Sequence, residues 1–355
     1  MASETQRTST EIDARRLTPS PYILSLPKAE LHLHLEGAVE PETLVELSRR
    51  NKYDASPLDR AQVDELYQYA DFRGFLGAFK AVTERLQAAE DYELITWRLM
   101  ERLRAENVLH AEVYVSVGVC LWRGQEFPKL FEGLERARER GQREFGVSLL
   151  WLFDAVRHFG PEAAQKVAEQ AVEARARGCA SVVGFGIGGD EAAAAPEMFR
   201  QVYAYAAEHG LRRTAHAGES AGPASVLGAL DALGAERIGH GLTAWHDEEL
   251  MARLVKEQIP VEVCVTSNLR TGCCKSLEQH PLRRYFDAGL KVTLASDDPA
   301  MFGTSLAREY QLAQEAFGFS EAELERLARN SFEASFLPEE KKSEFLRRFP
   351  AGARA

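Results

Sequence analysis

His32 and His34 stand two residues apart in the run Ala29-Glu30-Leu31-His32-Leu33-His34-Leu35-Glu36-Gly37. The alternation with apolar residues reads as a β-strand. A strand of period two sends both imidazoles out of one face, while Leu31, Leu33 and Leu35 leave by the other. Neighbouring imidazoles can share one metal ion, but a metal site needs further ligands. By themselves the two fit equally well as one core histidine and one at a rim.

Further ligands come from three other strand-like segments. They end in Thr214-Ala215-His216-Ala217-Gly218-Glu219, Arg237-Ile238-Gly239-His240-Gly241 and Ala295-Ser296-Asp297-Asp298-Pro299. Taken singly, His216 and His240 fit satisfied core histidines, and Asp297-Asp298-Pro299 fits an ordinary turn. Ionisable groups are costly to bury without partners, so their coincidence at several strand ends points to a site. His32, His34 and His216 with the Asp297 carboxylate make a nitrogen-rich set suited to one Zn²⁺ per subunit, with an open position for water. Zinc lowers the pKa of such a water from about 15.7 to about 7. Glu219 follows His216 closely enough to carry a proton. His240 is placed to hold the nucleophile and stabilise its developing charge. Asp298, beside a ligand but off the metal, is free to accept a hydrogen bond from substrate.

The elements that must position these groups follow a regular plan. Seven strand-like segments succeed the first, at about 108–117, 147–156, 180–187, 211–217, 237–242, 259–266 and 290–295. Helical stretches at 128–141, 161–178, 196–210, 223–234 and 247–258 separate most of them, several opening with Pro and closing with Gly as helices do. Runs such as Ser148-Leu149-Leu150-Trp151-Leu152-Phe153 are apolar on both faces, the texture of parallel strands covered by helices. Eight strands with helical crossovers close a (β/α)8 TIM-type barrel, whose C-terminal strand ends share one mouth. A doubly wound open sheet has the same alternation; the polar residues gathered at strand ends favour the barrel.

Between the first two strands the pattern is helical from about 57 to 106. Its stripe of Leu66, Tyr69, Phe72, Phe75, Leu76, Phe79, Val82 and Leu86 reads as core packing and also as a lid over the mouth. The expected organisation is a loose tail over 1–20, a single catalytic domain over 21–340 and a second tail over 341–355.

A net charge of −11 without a dense Lys/Arg tract argues against nucleic acid and anionic membrane surfaces as partners. The five cysteines are scattered, with no Cys-x-x-Cys, which suits a reducing compartment. There is no signal-peptide core and no apolar run of membrane-spanning length, so a cytoplasmic location is expected. Three motifs read as decoys. Gly184-Phe185-Gly186-Ile187-Gly188-Gly189 matches G-x-G-x-x-G, but Asp190-Glu191 behind it would repel a pyrophosphate. His110-Ala111-Glu112 matches the H-x-E of cytidine-type zinc deaminases, but their P-C-x-x-C is absent. Cys273-Cys274 are too close together for metal-ligand spacing.

Together, His32-Leu33-His34-Leu35-Glu36-Gly37-Ala38, His216-Ala217-Gly218-Glu219, Ile238-Gly239-His240-Gly241 and Ser296-Asp297-Asp298-Pro299 resemble the adenosine/adenine deaminase branch of the amidohydrolase superfamily, from about residue 26 to 336. The resemblance implies hydrolytic loss of ammonia from a small-molecule 6-aminopurine substrate. It implies zinc on His32, His34, His216 and Asp297, Glu219 as the acid at purine N1, His240 orienting the nucleophile, and Asp298 at N7. Gly189 resembles the position whose backbone meets N3. The implied substrate-facing set is His34, Glu36, Gly189 and Asp298.

Adenosine deaminases commonly carry Asp in the H-x-H-x-D-G stretch, towards the ribose. Glu36 is more like the adenine deaminases or the deaminases of 6-amino-6-deoxyfutalosine, a nucleoside bearing a benzoate in place of the 5′-hydroxyl. The loop Met301-Phe302-Gly303-Thr304-Ser305 lacks the tyrosine- and glycine-rich run associated with adenine deaminases, so a nucleoside is the expected substrate and free adenine the alternative. A carboxylate at Glu36 near the sugar would disfavour a 5′-phosphate. A benzoate would need a cation near the mouth, for which Arg73, Arg123, Arg157 and Arg270 are candidates. A catalytically dead binding protein on the same barrel is opposed by the intact set of seven side chains. A two-metal site bridged by a carboxylated lysine is opposed by Lys256 and Lys275, which fall in helix and loop.

Overall fold

The computed structural model describes residues 17–50, 57–69 and 71–350. Its strands are β1 Lys28–His34, β2 Val108–Val115, β3 Ser148–Val156, β4 Val182–Gly188, β5 Arg212–Ala217, β6 Arg237–His240, β7 Val261–Val263 and β8 Val292–Leu294. They form one eight-stranded sheet in sequence order, every adjoining pair parallel. An isolated parallel bridge between Leu33 and Asp297 brings the last strand back to the first. That order and that closure make a (β/α)8 TIM-type barrel; in a doubly wound sheet the first strand lies inside and its neighbours are out of sequence. Both faces of β1 and β2 are buried throughout, as expected of strands with side chains filling the barrel on one side and helices on the other.

The register delivers the site. His216 of β5 pairs with Gly239 of β6, and Ala217 with His240. A Cβ on Gly239 would lie 2.6 Å from His32 Cε1, so the glycine leaves the room that the His32 ring occupies.

Two stretches differ from expectation. The 57–106 region is three helices, Arg60–Leu66, Phe72–Thr83 and Ala89–Ala105, the first two capped by Asp59 and Asp71. These caps end what the apolar period alone presents as continuous. Beyond Val263, the expected strand over 259–266 turns into a short helix, Val265–Arg270. Its β-branched residues favour a strand, but tertiary contacts at the site override that preference.

At the C-terminal end, Glu339–Leu346 is helical, and Phe345 and Phe349 are buried with rings 5.2 and 5.9 Å from Phe332. The boundary expected at 340 therefore falls inside a packed helix. Of the expected N-terminal tail, residues 1–16 lie outside the described residues, and Ser20 caps the helix Pro21–Ser25. Among the described residues, no helix is long and apolar enough to cross a membrane.

Candidate metal centre and active site

The strand ends bring His32, His34, His216 and Asp297 together, with ligand atoms all within 4.8 Å of one another. His34 Nε2 lies 3.2 Å from His216 Nε2 and 3.3 Å from Asp297 Oδ1, and His32 Nε2 lies 3.4 Å from Asp297 Oδ1. Four ligands held tetrahedrally at zinc distances stand about 3.3 Å apart. Outer contacts aim the nitrogens inward. His216 Nδ1–H donates to the Ile187 carbonyl at 3.0 Å, which leaves Nε2 bare. His32 Nδ1 meets Glu262 Oε2 at 2.9 Å, and its buried Nε2 makes no hydrogen bond among the described residues. Glu262 is held in turn by Arg237 Nε at 2.6 Å. Asp297 Oδ2 accepts from Ser267 Oγ at 2.6 Å.

The electrostatics suit a cation. Burial holds the His34 imidazole down to about 3 and His216 well below its usual value, so both offer neutral nitrogens. Burial also opposes charge on His32, but the close Asp297 and Glu262 carboxylates lift it to about 10: two carboxylates call for positive charge where a metal would replace the proton. A second grouping of His240, Cys264 and Asp297 is the poorer site, because burial pushes the Cys264 thiol well above its usual value. The residues fit one zinc-sized ion. His240 and Asp297 adopt φ of 61° and 64°, a left-handed backbone that costs roughly 1–3 kcal/mol for a non-glycine residue and is tolerated where it aims a functional group.

Around this centre lie the other expected residues. His240 Nε2 is 3.7 Å from Glu219 Oε2 and 3.9 Å from Asp297 Oδ2. Its tautomer follows from a chain of contacts. The Leu282 N–H donates to His280 Nδ1 at 3.2 Å, so His280 Nε2–H donates to Asn268 Oδ1 at 3.2 Å. Asn268 Nδ2 then donates to His240 Nδ1 at 3.2 Å, which leaves the His240 proton on Nε2, facing the carboxylates. Burial raises the Glu219 pKa, as a proton donor requires. Burial and the neighbouring Asp297 push Asp298 well above the carboxylate range. A Cβ on Gly37 would sit 1.8 Å from Asp298 Oδ1, so the glycine after Glu36 is the cradle for that side chain.

A cavity of about 310 Å³ opens over these groups, lined at its floor by His34, Gly189, His216, Glu219, His240 and Asp298. The helix Phe72–Thr83 lies over it as a lid, contributing Phe72, Phe75, Leu76 and Phe79. Glu36 differs from expectation. It is fully buried and accepts from the Ser116 N–H at 3.1 Å and hydroxyl at 3.2 Å, and Ser116 rather than Glu36 lines the cavity. Burial pushes its pKa up to about 7. Of the four arginines considered, Arg123 lines the cavity. Arg157 donates to the Ala194 and His216 carbonyls, and Arg270 lies over the Tyr69 ring.

Asp154, Glu262, Ser267, Asn268 and His280 are additions that sequence reasoning missed. Asp154 lines the cavity, 6% exposed, with Oδ1 unpartnered among the described residues. A lone carboxylate inside Trp151-Leu152-Phe153-Asp154-Ala155 carries the same signal as Asp297, and so does Glu262 between two valines. The decoys have structural work. Glu191 accepts from the N–H groups of Ser220 and Ala221 at 2.8 Å each, and pins the loop that carries Glu219. Glu112 pairs with Arg237.

The profile of the family described as adenosine deaminase matches residues 27–350. The chain belongs to the adenosine deaminase family. Within it, the chain is 37% identical over 316 residues to aminodeoxyfutalosine deaminase of Streptomyces avermitilis, covering 89% of this chain and 88% of that protein. It is 38% identical over 340 residues to adenine deaminase of Streptomyces coelicolor, covering 94% and 99%. The crystal structure of an amidohydrolase from Burkholderia ambifaria with bound Zn superposes with a TM-score of 0.84 at 28% identity, covering 96% of this chain and 93% of that one. The family is one of metal-dependent hydrolytic deaminases, and the His/His/His/Asp grouping is a candidate metal site.

Proposed function

We propose that the chain is a zinc-dependent hydrolytic deaminase of a 6-aminopurine nucleoside, adenosine or a 5′-modified adenosine such as 6-amino-6-deoxyfutalosine, releasing ammonia and the 6-oxopurine. His32, His34, His216 and Asp297 hold the zinc, which when bound supplies an activated water for attack at C6. Glu219 protonates N1, and its raised pKa supports that role. His240 directs its Nε2–H at the nucleophile and steadies its charge. N7 is an acceptor, so Asp298 meets it as a protonated acid; the raised pKa favours donation over the acceptance expected from sequence. The Gly189 backbone faces N3. Cytoplasm is the proposed location, in keeping with the free cysteines.

The observation that carries the nucleoside is the direction in which the cavity extends. With N1 at the β5 loop, N3 at the end of β4 and N7 at the end of β8, N9 faces the wall built after β1, β2 and β3. There the cavity continues, past Phe72 and Phe79, Trp122 and Arg123, and His158 and Phe159. Free adenine would leave that arm empty. The adenine reading nonetheless has the 38% identical relative in its favour. Ammonia release from adenine, adenosine and 6-amino-6-deoxyfutalosine, compared by kcat/KM, decides between them; fastest turnover of adenine overturns the nucleoside reading.

A further inference from the structure

We infer that Arg237 is a positioning residue for the metal centre: braced by Glu112 and Phe336 at the closed end of the barrel, it holds the Glu262 carboxylate against His32 and so sets how tightly the centre keeps its ion. The inference rests on the zinc reading above and adds to it residues that touch neither metal nor substrate.

The first observation is the brace. Arg237 opens β6, at the strand end away from the mouth, and is 1% exposed. A buried guanidinium keeps its charge and needs partners. Its fork reaches two other strands. Nε donates to Glu262 Oε1 on β7 at 2.6 Å, and Nη1 donates to Glu112 Oε2 on β2 at 2.5 Å. Burial opposes charge on Glu112, but Arg237 and His110 hold its carboxyl down to about 2.

The segment after the helix Glu321–Ala334 completes the clamp. The Ala334 carbonyl accepts from Arg237 Nη1 at 3.2 Å, and the Phe336 N–H donates to Glu112 Oε1. Arg237 Nη2 has no hydrogen-bond partner among the described residues. The guanidinium carbon lies 3.7 Å from the centre of the Phe336 ring, a cation–π contact at a desolvated site.

The second observation is what the brace points at. Glu262 gives Oε1 to Arg237 and turns Oε2 to His32 Nδ1 at 2.9 Å. With one oxygen fixed, the carboxylate cannot rotate, and the aim of the His32 ring is fixed with it. A carboxylate behind a metal histidine also makes the far nitrogen a better donor, and loss of such a partner costs about 10- to 100-fold in metal affinity. Buried ion pairs are a weak source of stability by themselves, so aiming His32 accounts for this cluster better than holding the fold does.

The test measures zinc affinity by chelator competition, and the absorption spectrum of the Co²⁺-loaded protein. It compares wild type, Glu112→Gln, Phe336→Leu, Glu262→Gln and the double variant Phe336→Leu/Glu262→Gln. Glu262→Gln is expected to weaken zinc by about 10- to 100-fold, and Glu112→Gln and Phe336→Leu by about 10-fold, with shifted Co²⁺ bands in all three. The double variant is expected to bind no more weakly than Glu262→Gln, because the brace acts through Glu262. Phe336→Leu alters no charge and no backbone donor, so it carries the test if Glu112→Gln fails to fold. A lowered Tm with unchanged zinc affinity and Co²⁺ bands in Phe336→Leu overturns the inference, since the cluster is then structural only. Additive losses in the double variant overturn it too: they route the effect through Tyr114, which packs on Phe336 and lies with its ring centre 5.0 and 4.9 Å from those of His32 and His34. A wild type that takes up no stoichiometric zinc overturns the zinc reading itself.

Discussion

The backbone N–H of His34 donates to the carbonyl of Asp297 at 2.8 Å, and the N–H of Asp297 returns to the carbonyl of His32 at 3.2 Å. The seam that closes the barrel is therefore made by residues whose side chains form the metal centre. Closure between the first and last strands and assembly of the site are one structural event, so a metal held there would be coupled to the stability of the seam.

Asp297→Ala is expected to reduce bound zinc and activity together. Removing metal from the wild type with a chelator should lower its Tm, and should lower it less in the variant. Metal analysis and calorimetry check both. Full zinc retention in Asp297→Ala would move the ligand role to Asp298.

Glu219→Gln should keep zinc and lose turnover by roughly 10²–10⁴-fold, the usual contribution of a general acid. The Glu219 pKa is raised, so the active, protonated form persists above the ordinary range of a glutamate and is lost as pH rises through the shifted value. The alkaline limb of the wild-type kcat/KM profile should be missing from the residual activity of the variant. Loss of zinc in Glu219→Gln would contradict the assignment.

Asn268→Asp inverts the contact to His240. An aspartate cannot donate to Nδ1; it accepts from Nδ1–H and leaves Nε2 bare towards Glu219 and Asp297. A wrong tautomer of this kind costs up to about 10⁴ in kcat in other enzymes, and a fall of roughly 10²–10⁴-fold with metal retained is expected here. A kcat within a few-fold of wild type would show that the relay through His280 does not set the His240 proton.

Glu30 lies away from the cavity, buried, accepting from the Ser296 N–H at 2.9 Å. Burial raises its pKa from 4.5 to about 7, against the lowering effect of the Ser296 hydrogen bonds. A raised folded-state pKa contributes stability that is complete below about 4.5 and lost as pH rises through about 7. The penalty above that window is about 3 kcal/mol. Glu30→Gln keeps an acceptor for Ser296, so it should raise Tm relative to wild type at pH 8 and lose that advantage at pH 5. A pH-independent difference in Tm would refute the shift.

Much of this protein was legible in the order of its residues because the decisive signals are local. Period-two alternation puts His32 and His34 on one strand face, and the polar ends of the later segments mark His216, Glu219, His240, Asp297 and Asp298. Eight such segments with helices between them imply the barrel and its shared mouth. The same reading failed where the outcome depends on partners far along the chain. Val265 and Thr266 look like strand, yet the backbone coils after Cys264 to bring Ser267 under Asp297 and Asn268 under His240. Glu36 looks like a ligand-facing acid, yet it turns to Ser116, 80 residues away. Choosing Arg123 among four arginines needed the cavity itself. Chemical identity and strand periodicity are properties of neighbouring residues and can be read in one dimension. The direction of a hydrogen bond, the tautomer it imposes and the side of a wall that a charge faces exist only once distant segments have met.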